Sequence, residues 1–119
     1  MSVIEITQDS FETTIQNNNI VLIDFWAEWC APCKQFATVY EAAALEFPDI
    51  VFAKVNIEQE VDLAEIFEIR SIPYLMIFKQ GIIIYAESGS MPASTLKELI
   101  TQAKIVDVSA IKESVEKGE

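Results

Sequence analysis

Apolar positions along this chain switch between a strand period and a helix period, and the switches mark its elements in order. Val3–Thr7 reads as a short strand. Asp9 is placed to cap a helix over Ser10–Gln16, with Glu12 three residues on completing a box-like pattern. Asn17-Asn18-Asn19 is a turn. Ile20–Trp26 is nearly all apolar, the pattern of a central strand buried on both faces of a parallel sheet. Phe36, Val39, Tyr40, Ala43, Ala44 and Phe47 then recur at helical spacing, and Pro32 suits the first turn of a helix. One helix is therefore expected from about Pro32 to Phe47, stopped by Pro48 and Asp49. Ile50–Ile57 is a second apolar strand, and Val61–Phe67 returns to helical spacing. Tyr74–Phe78 and Ile82–Ala86 flank Lys79-Gln80-Gly81 as a hairpin. Pro92 opens a last helix through Ala93–Lys104, with Leu96, Leu99, Ile100 and Ala103 on one face. The order β-α-β-α-β-α-β-β-α predicts an α/β domain whose sheet is closed by a hairpin.

Composition narrows the function classes. The chain has 119 residues and is 51% hydrophobic, which suits one domain with its own core. A net charge of -11 repels phosphate backbones and anionic lipid, so neither nucleic acid nor a membrane surface is an expected partner. The charge serves solubility or a partner with a basic docking face. The longest apolar runs, such as Ile82–Ala86, fall far short of the roughly 20 residues that cross a bilayer. The first residues lack a basic start and a long apolar stretch, so a soluble cytoplasmic protein is expected; it is separately expected to be a monomer. Residues 1–104 are expected to form the domain, and 105–119 an extension, helical and then disordered. Ile105, Val108, Ile111 and Val115 give that extension an amphipathic spacing.

The candidate chemistry lies at Cys30-Ala31-Pro32-Cys33, which holds the only two cysteines in a chain without histidine. Cysteines at this spacing close a disulfide with little backbone movement. Cys30 falls where a strand ends and a helix begins, so its sulfur faces unpaired N–H groups and the positive end of the helix dipole. That favours the thiolate, the nucleophilic form. Other readings stand beside this one. A zinc site would need two more soft ligands, which the chain does not supply. A purely structural disulfide over so short a loop would restrain the unfolded chain by only about 2 kcal/mol. Two incidental cysteines are the third. Asp24 sits inside the apolar strand, where a carboxylate is costly unless neutral or paired. Burial would raise its pKa and make it a candidate general acid and base, unless it is a strand-edge Asp facing water. Lys54, in Ile50–Ile57, is either its charge partner or an ordinary edge lysine.

Together these residues resemble a known family. Asp24 to Lys34, Ala53 to Ile57, Ile69 to Pro73, Phe78 to Gly81, Gly89 and Leu96 to Glu98 are similar to the thioredoxin family over about residues 3–104. The resemblance implies a thioredoxin fold, a central mixed sheet with helices on both faces. It implies that Cys30 is the exposed attacking thiolate, that Cys33 resolves the mixed disulfide, and that Asp24, modulated by Lys54, moves the proton. It implies a cis Pro73, and a shallow groove of Trp29, Ala31, Pro32, Ile72, Pro73 and Gly89 that takes an extended substrate strand. The implied activity is reduction of protein disulfides, with electrons from a thioredoxin reductase and no cofactor on this chain. The alternatives are an isomerase or oxidase of the same fold, and a non-catalytic binding subunit. Ala31 departs from the family's usual Gly between the cysteines, Thr38 from a common Pro, and Tyr74 from a common Thr.

Overall fold

Strand β2, Ile20–Trp26, lies at the centre of the sheet and fixes the placement of the other elements. The computed structural model describes residues 3–109. Their elements are β1 (Val3–Glu5), α1 (Gln8–Gln16), β2, α2 (Ala31–Glu46), β3 (Val51–Asn56), α3 (Val61–Ile66), β4 (Tyr74–Lys79), β5 (Ile82–Ser88) and α4 (Ala93–Ile105). The sheet order is β1-β3-β2-β4-β5. The first three strands run parallel, and β4 and β5 pair antiparallel to β2 and to each other.

Side chains alternate across a strand, so β2 divides its residues between two cores. Ile20 and Leu22 pack with Phe36 and Tyr40 of α2 and Leu96 and Ile100 of α4. Val21, Ile23 and Phe25 pack on the other face with Ile15 of α1 and Leu63 of α3. The same alternation sends Asp24 and Trp26 to the α2 side. Asp24 is opposite Lys54 in the β2–β3 register, so all three belong to one face.

Several boundaries differ from the sequence reading. Thr7, not Asp9, is the N-cap of α1. Its N–H donates to Ser10 Oγ at 3.0 Å, so Ser10 rather than Glu12 reaches back. Thr7 is also a capping residue type, and using it leaves Asp9 in the first turn, where its charge meets the helix dipole. Strand β1 is correspondingly shorter, ending at Glu5.

Lys79 belongs to β4 and not to the hairpin turn, which is Gln80-Gly81, both at positive φ. Its parity with Leu75 and Ile77 aims it at α4. There its buried Nζ donates to the carbonyl oxygens of Ala103 (2.7 Å), Lys104 (3.0 Å) and Val106 (2.6 Å). These are end-of-helix acceptors that need partners, and a cation suits that end of the dipole. Lys79→Met should cost about 1–3 kcal/mol, as orphaned buried acceptors do. Hydrogen exchange should accelerate first at residues 103–108; uniform exchange across the domain would argue against a cap. Val108 of the extension is buried while Ile105 is exposed; Ile111 and Val115 lie outside the described residues.

Helix α3 ends in a Schellman pair: Glu68 N–H donates to Glu65 O (3.1 Å) and Ile69 N–H to Ala64 O (2.9 Å). This geometry places Glu68 at φ 52, a conformation costly for any residue with a Cβ. Glu68→Gly should therefore stabilise the protein by roughly 0.5–1 kcal/mol, read as a higher denaturant midpoint at unchanged slope. Glu68→Ala keeps the Cβ and should show no such gain.

Candidate active site

Cys30 is the N-cap residue of α2, with Pro32 inside the first turn. A turn delivers it there from β2, closed by Cys30 N–H donating to Ala27 O at 3.2 Å. Cys30 and Cys33 form a disulfide with their Cα atoms 5.2 Å apart. The Cys33 N–H points at Cys30 Sγ at 3.2 Å. A helix of 16 residues thus directs an unpaired amide and the positive end of its dipole onto one sulfur.

The surface around the pair is open, but the pair itself is not. Trp29 is 66% exposed, and Ala31 and Pro32 are exposed beside it. Cys30 is only 4% exposed, less than the family resemblance implies. Its sulfur is held inward by the bond to Cys33 and lies 3.8 Å from the Ile72 carbonyl oxygen. The Ile72–Pro73 peptide is cis. Pro73 O accepts from Gly89 N–H at 2.8 Å, and Gly89 sits at φ 115, which favours glycine. Backbone contacts thus join Ile72, Pro73 and Gly89 to the cysteine side.

Beneath the disulfide is a cavity of about 110 Å³ lined by Cys33, Asp24, Trp26, Lys54 and Tyr40, with Glu28, Lys34 and Glu41 also on its wall. Asp24 is 3% exposed. Burial pushes its carboxyl from 3.8 up to about 7, and the positive charge of Lys54 opposes the rise without overcoming it. Lys54 forms no salt bridge with Asp24 among the described residues; its Nζ lies 5.0 Å from the centre of the Trp26 ring. It is a half-buried neighbouring charge, neither a direct partner nor a plain edge lysine.

Two residues of this cavity are absent from the sequence reading of the site. Tyr40 stands seven positions after Cys33 on the inner face of α2, and its hydroxyl donates to Ala53 O at 2.7 Å. Burial first, and then the Asp24 charge, holds its phenol well above the ordinary range. Trp26 shares the Asp24 face of β2. The strand period signals Trp26, and the helical period signals Tyr40 only as core. Among the described residues no group of three potential ligands gathers to hold a metal ion, and no helix is long and apolar enough to cross a membrane.

The chain is similar to proteins of one family. The Thioredoxin family model matches residues 2–102. A putative thioredoxin 2 of Streptomyces coelicolor is 46% identical over 96% of this chain and 85% of its own length. A thioredoxin of Porphyra purpurea is 40% identical over 86% and 97%. Among solved structures, a Plasmodium falciparum thioredoxin superposes with a TM-score of 0.76 at 34% identity, covering 82% of this chain and 96% of that one. A mutant thioredoxin from Halobacterium salinarum gives 0.79 at 29%, covering 85% and 89%. With a disulfide-forming pair at the head of α2 and a family match across nearly its whole length, the chain belongs to the thioredoxin family of protein thiol–disulfide oxidoreductases.

Proposed function

We propose that the protein reduces protein disulfides by dithiol–disulfide exchange, with Cys30 as nucleophile and Cys33 as resolving thiol. The supporting observation is the Cys33 N–H aimed at Cys30 Sγ at the N-cap of α2. It stabilises negative charge on that sulfur and not on Cys33. In the reduced protein the Cys30 thiolate attacks a substrate disulfide. A mixed disulfide forms, and the first substrate sulfur leaves as a thiolate. Cys33 then gives its proton to the Asp24 carboxylate and attacks Cys30 Sγ. The Cys30–Cys33 bond closes, the mixed disulfide breaks, and the second substrate sulfur leaves. Two electrons pass from the cysteine pair to the substrate.

A group titrating at about 7 accepts a proton at neutral pH and returns it readily. Trp29, Ala31, Pro32, Ile72, Pro73 and Gly89 form the rim, where an extended substrate segment pairs with backbone and packs on Trp29. A thioredoxin reductase returns the pair to the dithiol. Within this reading the protein acts as a cytoplasmic monomer, its charge of -11 opposing self-association. The test is reduction of a small disulfide-bonded protein with thioredoxin reductase and NADPH supplied. Steady NADPH consumption that needs both cysteines is expected; none would contradict the reductase reading.

A further inference from the structure

Two buried polar side-chain atoms have no hydrogen-bond partner among the described residues, Asp24 Oδ1 and Trp26 Nε1. One is an acceptor when ionised and the other a donor only. Both lie on the α2 side of β2 and line the same cavity of about 110 Å³. A donor and an acceptor left unpaired in a buried place are each costly, and a cavity of this size, with Asp24 and Lys54 on its wall, has room for a water that satisfies both. The exchange chemistry uses Asp24 but assigns nothing to Trp26.

We propose that Trp26 is a positioning residue for the proton acceptor: its indole N–H and the Asp24 carboxyl hold one water between them beside Cys33. The water orients the carboxyl and relays the proton. Cys33 gives a proton to the water as the water gives one to Asp24, so negative charge moves from carboxylate to thiolate and nothing else changes. Lys54, seated on the Trp26 ring, keeps a positive charge beside the site without closing a salt bridge. The other titratable groups facing the cavity are Tyr40, Glu28, Lys34 and Glu41, and Tyr40 is already bonded to Ala53. The inference rests on Asp24 being the proton acceptor for Cys33.

The experiment is NMR titration of the whole, isotope-labelled protein. It follows the Asp24 carboxyl carbon and the Trp26 indole N–H, the latter distinguished from Trp29 with Trp29→Phe. The indole signal should move with the same midpoint as Asp24, cross-relax with a long-lived water, and stop moving in Asp24→Asn. Trp26→Phe keeps a ring under Lys54 but removes the donor. It should raise the Asp24 midpoint by roughly 0.5–1 pH unit, because the donor favours the ionised form. An indole signal that stays still while Asp24 titrates overturns the water bridge, and so does an unshifted midpoint in Trp26→Phe. Failure of the parent reading has a different signature: the indole tracks Asp24, yet Asp24→Asn resolves mixed disulfides at the native rate.

Discussion

Replacement of Cys33 by serine is expected to stop the reaction half-way, leaving substrate proteins covalently attached to Cys30. Cys30 keeps its place at the α2 N-cap in this variant, and the amide directed at it belongs to the backbone of residue 33, which a serine retains. The attacking step therefore survives and the resolving step does not. Turnover should fall by roughly three orders of magnitude or more, the scale of losing a reacting nucleophile. Non-reducing electrophoresis and mass spectrometry should show the complexes, and added dithiol should release them. Cys30→Ser should be equally inactive but form no complex. The asymmetry is the informative result, because the helix favours one sulfur over the other. Equal trapping by the two variants would mean that either cysteine can lead.

Asp24→Asn should stabilise the folded protein, and the gain should depend on pH. The carboxyl titrates at about 7 when folded and near 3.8 when exposed. Between those values the native state binds the proton and the unfolded chain does not. Stability is then lost as pH rises from about 4 to about 7, and above that the burial penalty is fully present. Three pH units correspond to on the order of 4 kcal/mol. Native and variant should be about equally stable at pH 4, and the variant should gain a few kcal/mol at pH 8, read by denaturant unfolding of the oxidised forms. The kinetic cost is a resolving step slower by roughly 100-fold at neutral pH, since the proton acceptor is gone. A stability difference that ignores pH would show that Asp24 is hydrated and ordinary.

Most of the frame was legible because burial writes itself into sequence period. The nearly all-apolar run Ile20–Trp26 marked the central strand, and Phe36, Tyr40 and Ala43 marked the inner face of α2. Asp24 stood out as the one charged residue in that run. Tertiary geometry was harder to read. Lys79 next to Gln80-Gly81 looks like turn chemistry, and only the packing of α4 over β4 turns it into a cap. Thr7 and Asp9 are both capping residue types; the spacing to Glu12 points to Asp9, and the backbone uses Thr7. Glu68 at positive φ carries no signal in a sequence rule that expects glycine. Trp26 and Tyr40 read as core packing until α2 is laid across β2 and β3, when both meet Asp24 in one cavity. The low exposure of Cys30 follows from the closed disulfide, a redox state that no residue pattern records.

The most direct measurement is the ionisation of Cys30 in the reduced Cys33→Ser protein, where it is the sole cysteine, followed by the ultraviolet absorbance of its thiolate. Placement at the head of α2 requires a midpoint at least about one unit below the ordinary 8.5 of a free thiol. A midpoint at or above that ordinary value would mean the helix does not hold charge on this sulfur, and the nucleophilic role of Cys30 would have no physical basis.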